Sequence, residues 1–409
     1  MGPLHGIRVI DLTTVLMGPT AAQTLGDYGA DVVKVESPDG DMVRDIAPAR
    51  HPRMGAMFLN ANRSKRGVVL DLKHPRGREA LLRLAAGADV LVYNIRPRAM
   101  ARLGLSYETL RDANPRLVYA GLFGFGQDGP YAARPAYDDL IQGATGLAHL
   151  MTVSGSDAPR YVPTAIADRV VGQVAVGAIL AALVERGRSG LGQRVDVPMF
   201  ETMAGLVLSD HLGGLTYEPP LDAGGYPRQL SPDRKPYATR DGHVCAIVYN
   251  DGQWRRFADA IGRPGLLEDP CFATYAGRSA NVATVNAELV RIFAERTTAE
   301  WMHLLETADI PALPMHDLRS LVDDPQIAAS AMLPMREHPS EGPVRTIAPP
   351  MWLSRTPVEP PRLAPRQGEH TVEVLREAGF GGDEIDALLR DGVAVQAPPV
   401  DPTSPTGPR

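Results

Sequence analysis

Only two of the 409 residues are cysteine, Cys245 and Cys271. So few thiols exclude a disulfide framework and fit a reducing compartment, so a cytoplasmic location is expected. Neither cysteine has metal-ligand spacing, and no metal site is expected. Positive charge is also in short supply. The formal net charge is −6 and the pI is near 6.0, which argues against nucleic acid or an anionic membrane surface as a partner. The first residues, MGPLHGIRVIDL, lack a basic segment followed by an apolar one, so no secretion signal is expected. Gly6 stands where a myristoylation pattern needs Ser or Thr. The apolar run from Val170 to Val184 is bounded by Arg169 and Glu185. It falls short of the roughly 20 residues that cross a bilayer.

With 44% hydrophobic and 22% charged residues, the composition is that of an ordinary globular protein. Its length exceeds what one core usually supports, and two domains are expected. Ile7–Leu12 reads as a buried strand, and Gly18-Pro19 opens a helix that runs to about Tyr28 and stops at Gly29. A second strand, Asp31–Glu36, completes a βαβ unit. Strands at Val68–Leu72, Val90–Val92 and Leu117–Leu122 alternate with helical patterns at Pro75–Ala86 and Pro97–Leu103. This alternation predicts an α/β fold with a doubly wound, Rossmann-like parallel sheet. Ligands of such sheets bind at the carboxyl ends of the strands. The loops Thr13–Met17, Lys73–His74, Tyr93–Arg96 and Phe123–Gly129 are therefore the ones to inspect.

Between Asn60 and Leu105 the chain carries Arg63, Lys65, Arg66, Lys73, Arg76, Arg78, Arg83, Arg96, Arg98 and Arg102, against Asp71, Glu79 and Asp89. A local excess of cations in an acidic protein points to a polyanionic ligand, such as a phosphorylated cofactor. Arg76, Arg78 and Arg83 suit a solvated helix face, whereas Lys73 and Arg96 follow strands directly and suit the ligand. Gly124-Phe-Gly126-Gln-Asp-Gly129 spells G-x-G-x-x-G, but a poor helix start follows it and no acidic residue lies about 20 positions on. It reads as a turn-rich loop and not as a dinucleotide site.

The stretch Pro163–Met203 predicts a core helix that is apolar nearly all round, with one carboxylate, Asp168, where it begins. Asp168 is either an N-cap or a desolvated nucleophile or base.

Several segments together resemble the successive signature blocks of the class III coenzyme A transferases, the family of formyl-CoA and carnitine CoA-transferases. They are LTTVLMGPTAAQTLGDYGADVVKVES, NRSKRGVVLDLKHPRG, NPRLVYAGLFGFGQDGPYA, RPAYDDLIQGATGL, AIADRVVGQVAVGAILAAL and SGLGQRVDVPMFE, with a weaker block at QGEHTVEVLREAGF. The resemblance spans nearly the whole chain in order. It implies that Asp168 is the catalytic aspartate and that Asp138 lies on an acidic position beside it. It also implies that Leu72, Lys73, Asn94, Arg102 and Tyr137 contact coenzyme A, with Val15 and Leu16 along the pantetheine path; Arg96 joins these as a cofactor-binding candidate from its place after a strand. Acyl-CoA and a carboxylic acid are then substrates, and no permanently bound cofactor is implied. The turn at Gly124–Gly129 is a candidate source of oxyanion N–H donors.

The chain departs from the pattern in places. Some members that act on small dicarboxylates have Gln where this chain has Leu16. They also have a glycine-run loop that is missing around Val248–Asp251, and these differences favour a larger or less polar acyl group. The family's racemase branch has a His base at the place of Tyr137, and a phenol with an ordinary pKa near 10 serves poorly there. A 2-methylacyl-CoA racemase is accordingly the alternative, followed by a non-catalytic acyl-CoA-binding protein. The expected organisation is a large domain over 1–205, a linker over 206–236 and a smaller α+β domain over 237–325. A return linker over 326–366, C-terminal helices of the large domain over 367–395 and a disordered tail over 396–409 complete it. The resemblance implies a homodimer of interlocked chains.

Overall fold

The structure, a computed structural model, describes residues 2–358 and 362–399. Its strands are β1 (Arg8–Leu12), β2 (Asp31–Glu36), β3 (Lys65–Leu70), β4 (Val90–Tyr93), β5 (Val118–Phe123), β6 (Arg194–Pro198), β7 (Tyr237–Ala238), β8 (His243–Ala246), β9 (Ala312–Pro314), β10 (Met335–His338), β11 (Gly342–Arg345) and β12 (Ala394–Val395). A seven-stranded sheet has the order β12-β3-β2-β1-β4-β5-β6. Every pairing in it is parallel except β12 on β3. The chain is thus mixed α/β with a mostly parallel central sheet. Its inner strands are buried almost throughout, as expected where helices cover both faces.

Several elements run where the sequence pattern puts them, among them β2 and the helix Pro75–Ala86. β3 starts three residues earlier than expected. Lys65-Arg66-Gly67 looks like loop, yet all three residues are buried in the strand. The strand β6 and the edge strand β12 were not anticipated, since neither Arg194–Pro198 nor Ala394–Val395 has a sustained apolar pattern.

Two compact units form. One consists of Met1–Ile141, Pro163–Met203 and Pro325–Arg409, the other of Gln142–Val162 and Ala204–Asp324. In the first unit Val374, Leu375, Ile385 and Leu388, from the helices Thr371–Glu377 and Gly382–Arg390, join one apolar cluster with Val68, Leu70 and Leu81. The stretch expected as a return linker carries the β10–β11 hairpin. It also contributes Ala364 to a cluster with Val43 and Phe58. Of the expected disordered tail, residues 400–409 lie outside the described residues. Its first residues are hydrogen-bonded: Gln396 Nε2 donates to Glu369 O at 2.9 Å and Ala397 N to Gly368 O at 3.1 Å.

The central helix, Ile166–Ser189, packs against the helix Met17–Asp27. The approach requires Gly172, because a Cβ there would sit 2.7 Å from Met17 O. The helix is less enclosed than its sequence implies. One stripe is buried, while Val174 and Val184 are 45% and 60% exposed. At 24 residues it is long and apolar enough to cross a membrane. Here its buried stripe is packed within the unit.

The second unit holds the antiparallel sheet β7-β8-β9 and helices around a core of Trp254, Phe257, Phe293 and Trp301. Asn250–Gln253 and Thr297–Glu300 form capping boxes that start two of these helices.

Candidate active site

The strand order reverses between β1 and β4, so the crevice beyond their carboxyl ends is where a ligand is expected. Two loops meet there, and Asn94 ties them together. Its Oδ1 accepts from Thr14 N at 3.1 Å and its Nδ2 donates to Thr14 O at 2.9 Å. Both polar atoms of Asn94 are thereby engaged in holding the loop.

Beneath the loop lies a set of buried charges. Lys34, fully buried in β2, donates to Thr13 O at 2.8 Å and to Asp41 Oδ2 at 2.9 Å. Asp41 Oδ1 accepts from Val15 N at 3.2 Å. Asp11 accepts from Thr13 N and from Lys65 Nζ, each at 2.9 Å. Burial alone would raise Asp11, but Lys65 and Lys34 hold its carboxyl below the ordinary value. Burial pulls Lys34 down, and Asp11, Asp41 and Glu36 more than offset that. Lys65 goes the other way, to about 8, through burial and the neighbouring Lys34 against the pull of Asp11. The result is that residues 13, 14 and 15 are each pinned through the backbone. Val15 adopts φ 70°, a left-handed conformation that a β-branched residue takes only when its surroundings impose it.

This turn delivers the chain into the helix Met17–Asp27, whose Met17 N–H lies near enough to the Asp168 carboxylate to favour its charged form. Asp168 does not cap its own helix. The cap position is Ala165, and Asp168 lies inside the first turn, 9% exposed. The Asp168 N–H donates to Asp138 Oδ1 at 2.9 Å. Burial, and then the charge of Asp138, push the Asp168 carboxyl up to about 6, although Arg169 and the Met17 N–H act the other way. Asp138, Asp168 and the segment Val15–Met17 are therefore brought into one place.

The remaining predicted residues line the same edge of the sheet at other points. Leu72 and Lys73 follow β3, three strand positions from β4, or about 14 Å at ordinary strand spacing. Leu72 packs on the core, and Lys73 is exposed with its N–H on Asp71 Oδ1. Arg96 and Arg102, with Arg98 and Gln127, line a cavity of about 530 Å³. None of these three arginines has a carboxylate partner among the described residues. Tyr137 is 60% exposed, just before the helix Asp138–Ala144.

The rest of the cation cluster is structural. Arg63 pairs with Asp27 at 2.5 Å, and Arg66 with Asp31, Glu373 and Glu377 at 2.6 to 2.9 Å. Arg76 pairs with Asp391, and Arg83 with Glu79 and Glu384. The Gly124–Gly129 stretch forms bends and turns with no helix following, and its Gly126 N–H already donates to Glu201 Oε1 at 2.9 Å. Sequence reasoning missed Met17, Lys34 and Asp41. The signal for the last two was a charge placed inside, or just after, the apolar strand DVVKVE.

An open, mostly parallel sheet with a buried carboxylate whose pKa is raised to about 6 beside the loop that follows β1 has the form of an α/β enzyme. The chain belongs to CoA-transferase family III, whose profile matches residues 4–371. It is 35% identical over 385 residues to a succinate–glutarate CoA-transferase of Agrobacterium fabrum, covering 92% of this chain and 95% of that one. It is 35% identical over 409 residues to a formyl-CoA:oxalate CoA-transferase of Streptomyces avermitilis, covering 95% and 99%. The crystal structure of a CAIB/BAIF family protein from Brucella suis superimposes with a TM-score of 0.78 at 32% identity, covering 92% of this chain and 99% of that one. The protein is a class III CoA-transferase, with acyl-CoA as substrate.

Proposed function

We propose that the enzyme moves coenzyme A from an acyl-CoA donor to a carboxylic acid acceptor through covalent intermediates on Asp168. The Asp168 carboxylate attacks the thioester carbon, the C–S bond breaks, and the thiolate leaves with the electron pair to give a mixed anhydride. The thiolate then attacks the Asp168 acyl carbon and releases the donor acid as its carboxylate. The acceptor carboxylate attacks the resulting aspartyl-CoA thioester, giving thiolate and a second anhydride. Thiolate attack on the acceptor's acyl carbon frees Asp168 and completes the exchange. The observation that carries this reading is the buried Asp168 with its carboxyl raised to about 6. It is ionised at neutral pH yet poorly solvated, which suits a nucleophile. In this reading the Met17 N–H donates to the Asp168 carbonyl oxygen when thiolate adds to the Asp168 acyl carbon and charge develops there.

After incubation with acyl-CoAs, mass spectrometry should find an adduct on the Asp168 peptide, recoverable as a hydroxamate with hydroxylamine. An unlabelled peptide in a protein that still turns over would exclude the covalent path. The rate should also report the carboxyl itself. kcat/KM should fall tenfold per pH unit below about 6 and level off above it. Asp138→Asn, which removes the nearby like charge, should move this limb to lower pH.

In the same reading Arg96, Arg102 and Lys73 hold the phosphates of coenzyme A, supported by the absence of carboxylate partners for these arginines among the described residues. Arg102→Ala and Lys73→Ala should raise KM for acyl-CoA roughly tenfold or more with little change in thermal stability. Arg78→Ala, whose guanidinium is bonded to Lys73 O at 3.0 Å, should leave KM alone. Equal KM values in all three variants and the parent would reduce these cations to a solvated face. Leu16 supports a larger or less polar acyl group, which a panel of acyl-CoAs tests. The exposed Val174 and Val184 support a homodimer of interlocked chains, to be read by light scattering. The two-cysteine composition supports a cytoplasmic location, which a fractionation tests.

A further inference from the structure

The second unit contains a cavity of about 560 Å³, within the range that small-molecule sites occupy. None of the residues assigned to the chemistry on Asp168 lines it. Four cations line it, Arg228, Arg234, Lys235 and Arg278, and no aspartate or glutamate does. Two of these cations are neutralised from outside the lining: Lys235 by Asp233 at 3.1 Å, and Arg278 by Asp251. Arg228 and Arg234 have no carboxylate partner among the described residues. An anion entering the cavity therefore meets two uncompensated guanidinium groups and no repelling carboxylate.

The other lining is apolar or aromatic. Trp254, Val285 and Leu289 supply it from the core, and Tyr226, Tyr249 and Tyr275 from the rim, each at least 37% exposed. The Tyr249 and Tyr275 rings meet edge to face at 6.0 Å, and the Arg228 guanidinium stands 5.5 Å from the Tyr249 centroid. Cation and aromatic surface thus lie side by side, as recognition of a flat apolar body with one charged end requires.

We infer that this cavity binds an organic carboxylate with an aromatic or branched apolar body, its carboxylate held by Arg228 and Arg234 and its body against Trp254, Tyr249 and Tyr275. Arginine suits the task because its planar fork matches a carboxylate.

Calorimetric titration of the full chain with phenylacetate, phenylacetamide and adenosine 3′,5′-bisphosphate tests the assignment, with Trp254 fluorescence as a second readout. Phenylacetate should bind, the neutral amide should bind at least tenfold more weakly, and Arg228→Gln and Arg234→Gln should each raise Kd about tenfold. Arg240→Gln, outside the cavity, should not. Asp168→Ala protein should bind phenylacetate as the parent does, which keeps the result separate from the covalent mechanism. Absence of phenylacetate binding, an unchanged Kd in the double arginine variant, or tighter binding of the bisphosphate than of phenylacetate would overturn the proposal.

Discussion

Asp168→Asn should lower CoA transfer by ~10⁴-fold or more, as loss of a covalent nucleophile does, and at the same time make the protein more stable at pH 8. The amide keeps an oxygen for the Met17 N–H and can face Asp138 without repulsion, but it has no charge to desolvate. The sign follows from linkage. The folded carboxyl is raised from 3.8 to about 6, so as pH rises the unfolded chain gives up its proton first. Native stability therefore falls between about pH 4 and 6 and stays reduced above that. The variant escapes the loss. It should gain on the order of 1–3 kcal/mol at pH 8 and nothing at pH 4, read from urea midpoints at the two values. Equal stability at pH 8 would mean that Asp168 is not held in a poorly solvated state, and the account of its nucleophilicity would fail with it.

Asp41→Ala should be the most damaging change to the loop. It leaves the fully buried Lys34 ammonium short of a partner and strips the acceptor from Val15 N and Val43 N. Breaking a buried pair from one side costs about 3–5 kcal/mol. The double variant Lys34→Met with Asp41→Leu removes both charges and should recover much of that stability. It should not recover the rate, because Val15 would relax from its left-handed conformation and the Met17 N–H would leave the carboxylate. Full recovery of both stability and kcat would show that the buried pair has no part in aiming the loop.

The parallel sheet was readable because β1, β2 and β4 are apolar runs of ordinary strand length separated by helical periodicity. Asp168 was readable as a lone carboxylate at the start of an apolar helix, though its partners were not. Met17 acts through a backbone N–H that every residue but proline carries, so no side-chain pattern announces it. The cation cluster was divided in the sequence into a solvated helix face and cations that follow strands, and the structure draws the line elsewhere, between paired and unpaired groups. Lys65 and Arg66 lie in β3 facing Asp11 and Asp31, whereas Arg96, Arg98 and Arg102 remain unpaired among the described residues. A one-dimensional count of charge cannot distinguish them, since the acids that neutralise the first set come from residues as distant as Glu373 and Glu377. The exposed stripe of the central helix was likewise invisible, because a helix that is apolar all round gives no sign of which side its own chain covers.

The position of β12 bears on how the chain is made. Residues 394 and 395 occupy the outer edge of β3, which ends at Leu70. At ordinary ribosomal speed that edge waits roughly 15–65 s for its partner to be synthesised. During that time the row of open N–H and C=O groups on β3 is a template for any other nascent chain. Transcripts cut short anywhere before Ala394 should accordingly yield insoluble protein even when every residue of the crevice is present, and a separately supplied peptide covering Thr371–Val395 should return part of it to the soluble fraction.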